Sequence, residues 1–378
     1  MKKNIHSSIS PLTWQKILNF LATSEEQTPY LLLDRDVVGK KAGLIGGGIN
    51  NSKCFYAVKA HPGIEVVRLI DSLGLNFEIA SEGELHILKT LGVSPERIIS
   101  SNPVKNPHFI EEAFSYGITY FAFDSTEEVD KISRIAPSSN VYVRLTVPNE
   151  GSEWPLSKKF GVEPDRALDL LLYAGEKGLN PAGITFHVGS QCTNIYNWST
   201  ALDKVKTLWI KAGEKGLSLN LLNLGGGYPI RYRRDIIGIP AIEEMINDLI
   251  TKQFPEDLMI HLEPGRAVVG DAGVFVASVT GKAKRGDENW LYIDVGVFNG
   301  LMESIGGIKY SYVVGSRAEP KRWIIAGPSC DSLDVIDRDI ILPEPSTGDH
   351  LLIPSSGAYT VSYASEFNGF RIPKTILI

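Results

Sequence analysis

Cysteine is scarce in this chain of 378 residues, where Cys54, Cys192 and Cys330 stand far apart. Three scattered thiols fit neither a disulfide framework nor a zinc site, so no metal is expected and a reducing cytoplasm is the natural setting. Long apolar runs are missing too: no stretch approaches the ~20 residues that cross a bilayer. The first 27 residues carry Lys2 and Lys3 with no continuous apolar segment behind them, which argues against a secretory signal. An excess of positive charge is also absent, and a net charge of −6 argues against nucleic acid as a partner. What remains is 43% hydrophobic and 22% charged, the balance of a soluble globular protein whose length suits two domains.

From Cys54 onward a regular alternation sets in. Strand-like runs at 55–58, 75–80, 98–100, 118–123, 140–145, 183–188, 219–224 and 258–263 alternate with helical patterns at 64–73, 81–92, 107–116, from Ser125 onward, 164–177, 198–215 and 241–252. Ser81 with Glu84, and Ser125 with Glu128, have capping-box spacing. Eight strands over about 220 residues predict a (β/α)8 TIM barrel, with a doubly wound open sheet as the alternative. After Gly270 the texture changes to strand-like runs at 274–279, 290–295, 322–325, 350–354 and 371–378, separated by Gly, Pro and Ser. This predicts a C-terminal β-sandwich or β-barrel domain that also takes in a strand near Tyr30. The expected domains are 40–270 for the barrel, and 1–39 with 271–378 for the β domain. Residues 43–48 read as a mobile glycine-rich connection.

Unusual polar residues fall at or near the ends of the barrel strands, where barrel enzymes collect their chemistry. Lys59 ends the first strand behind the apolar wall Phe55-Tyr56-Ala57-Val58, so desolvation should favour its nucleophilic amine. Glu78 lies near the end of the second strand and Arg144 in the fifth, as cofactor contacts or as an ion pair with each other. His187 lies in the sixth. Gly225-Gly226-Gly227 ends the seventh, where backbone N–H groups can approach a phosphate, and Ser190 is a further donor. Glu263-Pro264-Gly265-Arg266 puts a carboxylate, a turn and a phosphate-type arginine at the eighth. An amine for a Schiff base, a buried carboxylate and a glycine cradle describe a pyridoxal phosphate site. A phosphosugar aldolase shares the amine and cradle but does not need the carboxylate.

Tyr56-Ala57-Val58-Lys59, His187-Val188-Gly189-Ser190, Gly225-Gly226-Gly227-Tyr228-Pro229, Glu263-Pro264-Gly265-Arg266, Gly327-Pro328-Ser329-Cys330-Asp331-Ser332 and Gly357-Ala358-Tyr359-Thr360 resemble the fold-type III pyridoxal phosphate decarboxylases, the group with an alanine racemase-like barrel. Trp154-Pro155-Leu156-Ser157-Lys158-Lys159-Phe160-Gly161 and Phe367-Asn368-Gly369-Phe370 are most similar to the bacterial ornithine/lysine decarboxylase branch. The resemblance implies that Lys59 holds pyridoxal 5′-phosphate as a Schiff base, Glu263 pairs with the pyridine nitrogen and His187 stacks on the ring. It implies that Ser190, Gly225, Gly226, Gly227, Arg266 and Tyr359 serve the phosphate, with Gly265 a further cofactor contact. It also implies a homodimer in which Cys330 and Asp331 reach the partner's site, the cysteine returning a proton and the aspartate meeting the substrate's distal ammonium.

The expected reaction is decarboxylation of a basic L-amino acid, ornithine to putrescine or lysine to cadaverine, as in polyamine formation. Diaminopimelate, a carboxylated polyamine or a secondary-metabolite precursor are the alternative substrates. A racemase and an inactive regulator are the alternative classes. Two positions depart from the family pattern. Glu78 stands where aspartate is usual, and residues 294–303 fit the branch loosely. Glu303 there contacts a distal amine or faces solvent, and Phe367 is a further substrate-side candidate. Cys330-Asp331, in place of the Cys-Glu usual in diaminopimelate enzymes, favours a linear diamino acid.

Overall fold

The computed structural model describes residues 9–154 and 159–378. Lys2 and Lys3, and the Pro155–Lys158 part of the branch motif, lie outside the described residues. The chain divides into two units. One runs over Gly39–Pro229 and Ile237–Gly265; the other takes the residues up to Val38, Ile230–Ile236 and Arg266–Ile378.

The first unit is a parallel barrel. Its strands are β1 (Ser52–Ala57), β2 (Asn76–Glu78), β3 (Ile98–Ile99), β4 (Tyr120–Phe123), β5 (Asn140–Arg144), β6 (Asn180–Thr185), β7 (Leu221–Asn223) and β8 (Met259–Leu262). The hydrogen-bonded order is β3-β2-β1-β8-β7-β6-β5-β4. The seam between β3 and β4 is bridged by Ser100, whose N–H donates to the Tyr120 carbonyl at 3.1 Å while its carbonyl accepts from Ala122 at 2.9 Å. The ring therefore follows chain order, and the open-sheet alternative is excluded. Six of the eight strands are one to three residues shorter than the apolar runs predict, while β1 starts three residues early and ends at Ala57, and β6 lies three residues nearer the N-terminus than its run. His187 consequently sits two residues beyond β6, and Lys59 in a 3-10 turn, Val58–Ala60, beyond β1. This places both on the connections that leave the C-terminal rim.

The helices follow their end signals. Pro107–Tyr116 is capped by Asn106, whose side chain accepts from the His108 N–H, and stops at left-handed Gly117. Ser81 accepts from the Glu84 N–H at 3.4 Å and Glu84 reaches back to the Ala80 N–H at 2.7 Å, a reciprocal cap. Ser125 caps the next helix, but Glu128 turns away to the buried Lys105, 2.8 Å from its ammonium, so that box is half formed. Helix Arg35–Leu44 went unforeseen, because two glycines and three basic residues blur its apolar face. The glycine-rich connection that follows it is fixed: the N–H groups of Gly46 and Gly48 donate to the buried Glu243 carboxylate at 2.7 and 3.0 Å.

In the second unit a sheet curls around one long strand, Gly273–Arg285. Its first half pairs antiparallel with His350–Pro354 and with Tyr30–Leu33, and its second half with Glu288–Ile293, the register shifting between Val279 and Gly281. Tyr30–Leu33 also pairs parallel with Lys374–Leu377, so the N-terminal strand joins the C-terminal sheet as expected. Ile230 and Tyr232 pack in the same core as Phe275, Ile293 and Ile353, which explains why Ile230–Ile236 belongs to this unit. Strand Val335–Pro343 was not foreseen, since Asp337, Arg338 and Asp339 interrupt its apolar pattern.

Candidate active site

Lys59 and Glu78 leave neighbouring strands, Ala57 being in register with Glu78. The ammonium of Lys59 is ion-paired to the Glu78 carboxylate. Here the structure corrects two expectations. The Lys59 side chain is 48% exposed rather than desolvated, because β1 ends at Ala57 and the turn carries the lysine off the apolar wall. Glu78 pairs with Lys59 and not with Arg144. Behind them Glu84 is pushed up to about 7, first by burial and then by the charge of Glu78.

Glu263 follows β8 and is buried. Its Oε1 accepts hydrogen bonds from the Ser101 hydroxyl, just past β3, and from the Asn223 amide, at the end of β7, the latter at 2.5 Å. Ser101 in turn lies 2.7 Å from the Tyr142 hydroxyl. Burial, then the negative charge of Glu78, pushes Glu263 up to about 7, while Ser101, Lys59 and Asn223 oppose the rise. No described residue donates a hydrogen bond to its second oxygen, Oε2. Ser101, Asn223 and Tyr142 were missed from the sequence. The rule that picked out charged residues at strand ends finds Ser101 and Asn223 once extended to neutral polar ones.

Asn223 also accepts the Gly225 N–H at 2.9 Å, so one amide ties the carboxylate to the glycine turn. Gly225 and Gly227 have φ of 63° and 106°, and a Cβ on Gly225 would strike the Phe186 carbonyl. A Cβ on Gly226 would come within 2.6 Å of the Glu263 carbonyl and 3.4 Å of His187 Nε2. The turn thus presents bare backbone beside the histidine. His187 Nδ1 accepts the Gly189 N–H at 3.0 Å. Burial, with Arg144 and Lys59 adding to it, depresses His187 to about 3, so the ring is neutral. Arg144, at the end of β5, holds its guanidinium 5.4 Å from the Phe160 ring centre. Ser190 opens the short strand Ser190–Cys192, paired with Ser152–Trp154 and anchored where the Cys192 N–H meets the Gly227 carbonyl at 2.9 Å. Pro264 accepts the Ala57 N–H at 3.1 Å, and Gly265 continues the turn out of β8. The barrel unit therefore brings together Lys59, Glu78, Glu263, the three glycines and His187.

The second unit carries the remaining candidates. Arg266 is buried and forms a two-pronged pair with Glu303, Nη1 to Oε2 at 2.7 Å and Nη2 to Oε1 at 2.6 Å. Glu303 is 2% exposed, so it does not face solvent, and its carboxylate is engaged by the arginine. Tyr359, at φ 54°, sets its ring centre 4.8 Å from the same guanidinium.

Cys330 is exposed, and Asn368 Oδ1 accepts from its N–H at 3.2 Å and lies 3.3 Å from its Sγ. The turn Phe367–Gly369 thus touches Cys330 through Asn368, while Phe367 itself packs on Phe298, ring centres 4.7 Å apart. Asp331 accepts the Leu333 N–H at 2.8 Å. Asp334, unforeseen, takes the N–H groups of Val297 and Ser329 at 2.7 and 2.9 Å and so pins the Cys330 loop to the 294–303 segment. Cβ atoms on Gly296 or Gly327 would collide with the Asp334 carboxylate, so both glycines make room for it.

The barrel donors fit pyridoxal phosphate on their own geometry. An amine and a buried carboxylate with one oxygen unclaimed share a rim with a backbone cradle that a single Cβ would fill. Such a barrel defines a pyridoxal phosphate enzyme. A family profile described as pyridoxal-dependent decarboxylase, pyridoxal binding domain, matches residues 40–270. Over 353 residues the chain is 36% identical to the lysine/ornithine decarboxylase of Selenomonas ruminantium, covering 93% of this chain and 89% of that protein. The solved lysine/ornithine decarboxylase of Vibrio vulnificus, complexed with cadaverine, aligns with a TM-score of 0.90 at 30% identity over 98% of this chain and 99% of that one. Antizyme inhibitor 2 of Xenopus laevis is 30% identical over 385 residues, 94% of this chain and 82% of that protein. The chain belongs to the pyridoxal-dependent decarboxylase family.

Proposed function

We propose that this chain decarboxylates L-ornithine or L-lysine to putrescine or cadaverine, with pyridoxal phosphate held at Lys59. The carrying observation is Glu263: a buried carboxylate with Oε1 fixed by Ser101 and Asn223, and Oε2 unclaimed by any described residue, suits a protonated ring nitrogen. A racemase would place an arginine there. The cofactor supplies an aldehyde that condenses with amines and a ring that accepts the electron pair left when carbon dioxide departs.

The chain's own residues position and move protons. Glu78 pairs with Lys59 Nζ and so fixes where the amine meets the cofactor. Neutral His187 offers an uncharged face to the ring. The bare backbone of Gly225, Gly226 and Gly227, with Ser190, Arg266 and Tyr359, serves the phosphate, and Gly265 is a further cofactor contact. Cys330 returns a proton to the reacting carbon from a thiol oriented by Asn368, and Asp331 meets the distal ammonium. A lysine/ornithine enzyme among the relatives, and cadaverine in the Vibrio vulnificus structure, support this substrate class. Arg144 acts as a fixed cation at the rim, and Phe367 borders the substrate side.

A homodimer completes the reading. Leu333, Tyr363, Phe367 and Ile372 expose apolar surface in the unit that carries Cys330, as a partner-covered face does. Three free thiols suit a cytoplasmic setting, and no helix of the described residues is long and apolar enough to cross a membrane. A panel of ornithine, lysine, arginine and diaminopimelate, incubated with the enzyme and pyridoxal phosphate, should yield putrescine or cadaverine by mass spectrometry. The absence of any diamine refutes the proposal.

A further inference from the structure

Glu303 lies in the 294–303 segment, and the proposed reaction gives it no task. It is a buried carboxylate whose two oxygens are both taken by Arg266. The guanidinium has two more fixed neighbours: the Tyr232 hydroxyl at 2.6 Å from Nη1, and the Tyr359 ring, 4.8 Å from its centre to Cζ. Tyr232 is itself held edge-on against Tyr310, ring centres 5.7 Å apart at 85°. Nothing in this cluster is left to rotate freely.

This arrangement differs from a pair kept for stability. A buried arginine–glutamate pair contributes little net stability, because removing both charges from water offsets their attraction. An arginine side chain, in contrast, loses rotamer freedom when a ligand immobilises it, and a scaffold that has already immobilised it removes that loss from the binding step. With a 3% exposed cation, a counter-charge is also needed to keep the guanidinium inside before any anion arrives.

We infer that Glu303 is a positioning residue that holds Arg266 buried and oriented to receive the cofactor's 5′-phosphate. This rests on the reading of Arg266 as a phosphate ligand and adds the residue that prepares it. Because Glu303 acts through the phosphate ligand alone, it affects cofactor affinity only where the phosphate is present. Glu303→Gln keeps one acceptor but turns an amide N–H toward the guanidinium, so the fork can no longer be held on both prongs.

The test compares dissociation constants of the apoenzyme for pyridoxal phosphate and for pyridoxal, read by absorbance and tryptophan fluorescence. Glu303→Gln should weaken pyridoxal phosphate about tenfold, the value of one charge-assisted hydrogen bond, and leave pyridoxal unchanged. Equal weakening of both marks a merely structural residue and overturns the inference, as does unchanged or tighter binding of pyridoxal phosphate. Arg266→Met provides the reference. If it leaves the preference for the phosphorylated form intact, the phosphate role of Arg266 fails; if it abolishes the preference while Glu303→Gln does not, only the role of Glu303 fails. Should Glu303→Gln not fold, Glu303→Asp serves instead: its shorter carboxylate should reduce the preference a few-fold, and a wild-type preference overturns the inference.

Discussion

Replacing Glu263 with glutamine should change how the stability of the apoenzyme depends on pH. The carboxyl is buried beside Glu78 and Lys59, with Tyr142 and Arg144 facing it from β5, and its balance of burial and charge places it at about 7 instead of 4.5. A carboxyl raised in the folded state keeps its proton there after the unfolded chain has released its own. Stability from this group is therefore fully present below pH 4.5, falls as pH rises, and levels off above pH 7. The gap between about 7 and 4.5 corresponds to about 3 kcal/mol. Glu263→Gln retains acceptor contact with Ser101 and Asn223 and does not titrate. Urea unfolding of both apoproteins at pH 4, 5, 6, 7 and 8, with equal m-values as the control, should show the wild type losing about 3 kcal/mol more than the variant. Parallel pH profiles would refute the burial argument, and with it the claim that Oε2 is kept ready for a ring proton.

Other outcomes follow from single contacts. Lys59→Ala should abolish the absorbance of the lysine-bound cofactor and nearly all turnover, measured by spectroscopy and diamine release. Asn368→Gly keeps the left-handed backbone (φ 55°) but removes the acceptor from Cys330, so kcat should fall about fivefold with cofactor affinity unchanged. His261 is wedged against Phe55, 4.4 Å between ring centres, with no partner for Nδ1, and burial depresses it to about 3. As pH falls below 6.5 the unfolded chain takes up a proton that folded His261 refuses, so stability is lost toward acid. His261→Phe should therefore gain about 1 kcal/mol at pH 7 and flatten the acid limb in urea titrations.

How much of this was legible depended on the range of the interaction concerned. Helix Pro107–Tyr116 was readable to its ends because Asn106, Pro107 and Gly117 act within one turn of the chain. Helix Arg35–Leu44 was not, since its start depends on Asp34, whose side chain accepts the Asp36 N–H while also pairing with Lys16. Lys59, His187, the glycine turn and Glu263 stood out because strand ends punctuate the sequence. Ser101 and Asn223 are ordinary residues until folding brings them to one carboxylate, 162 and 40 positions away in the chain. Glu303 was visible as a charge, but only packing reveals that Arg266 claims it. The excursion Ile230–Ile236 into the β unit, carried by Ile230 and Tyr232, likewise has no local signature.

The central claim is that one rim, anchored by Lys59 and Glu263, removes the carboxyl group of a linear diamino acid. Incubating the enzyme and pyridoxal phosphate with carboxyl-labelled L-ornithine and L-lysine tests it most directly. Labelled carbon dioxide and diamine are expected in equal amounts from at least one of them, and neither from Lys59→Ala. Cofactor uptake with no labelled gas from either substrate, or D-amino acid formed without it, would contradict the account.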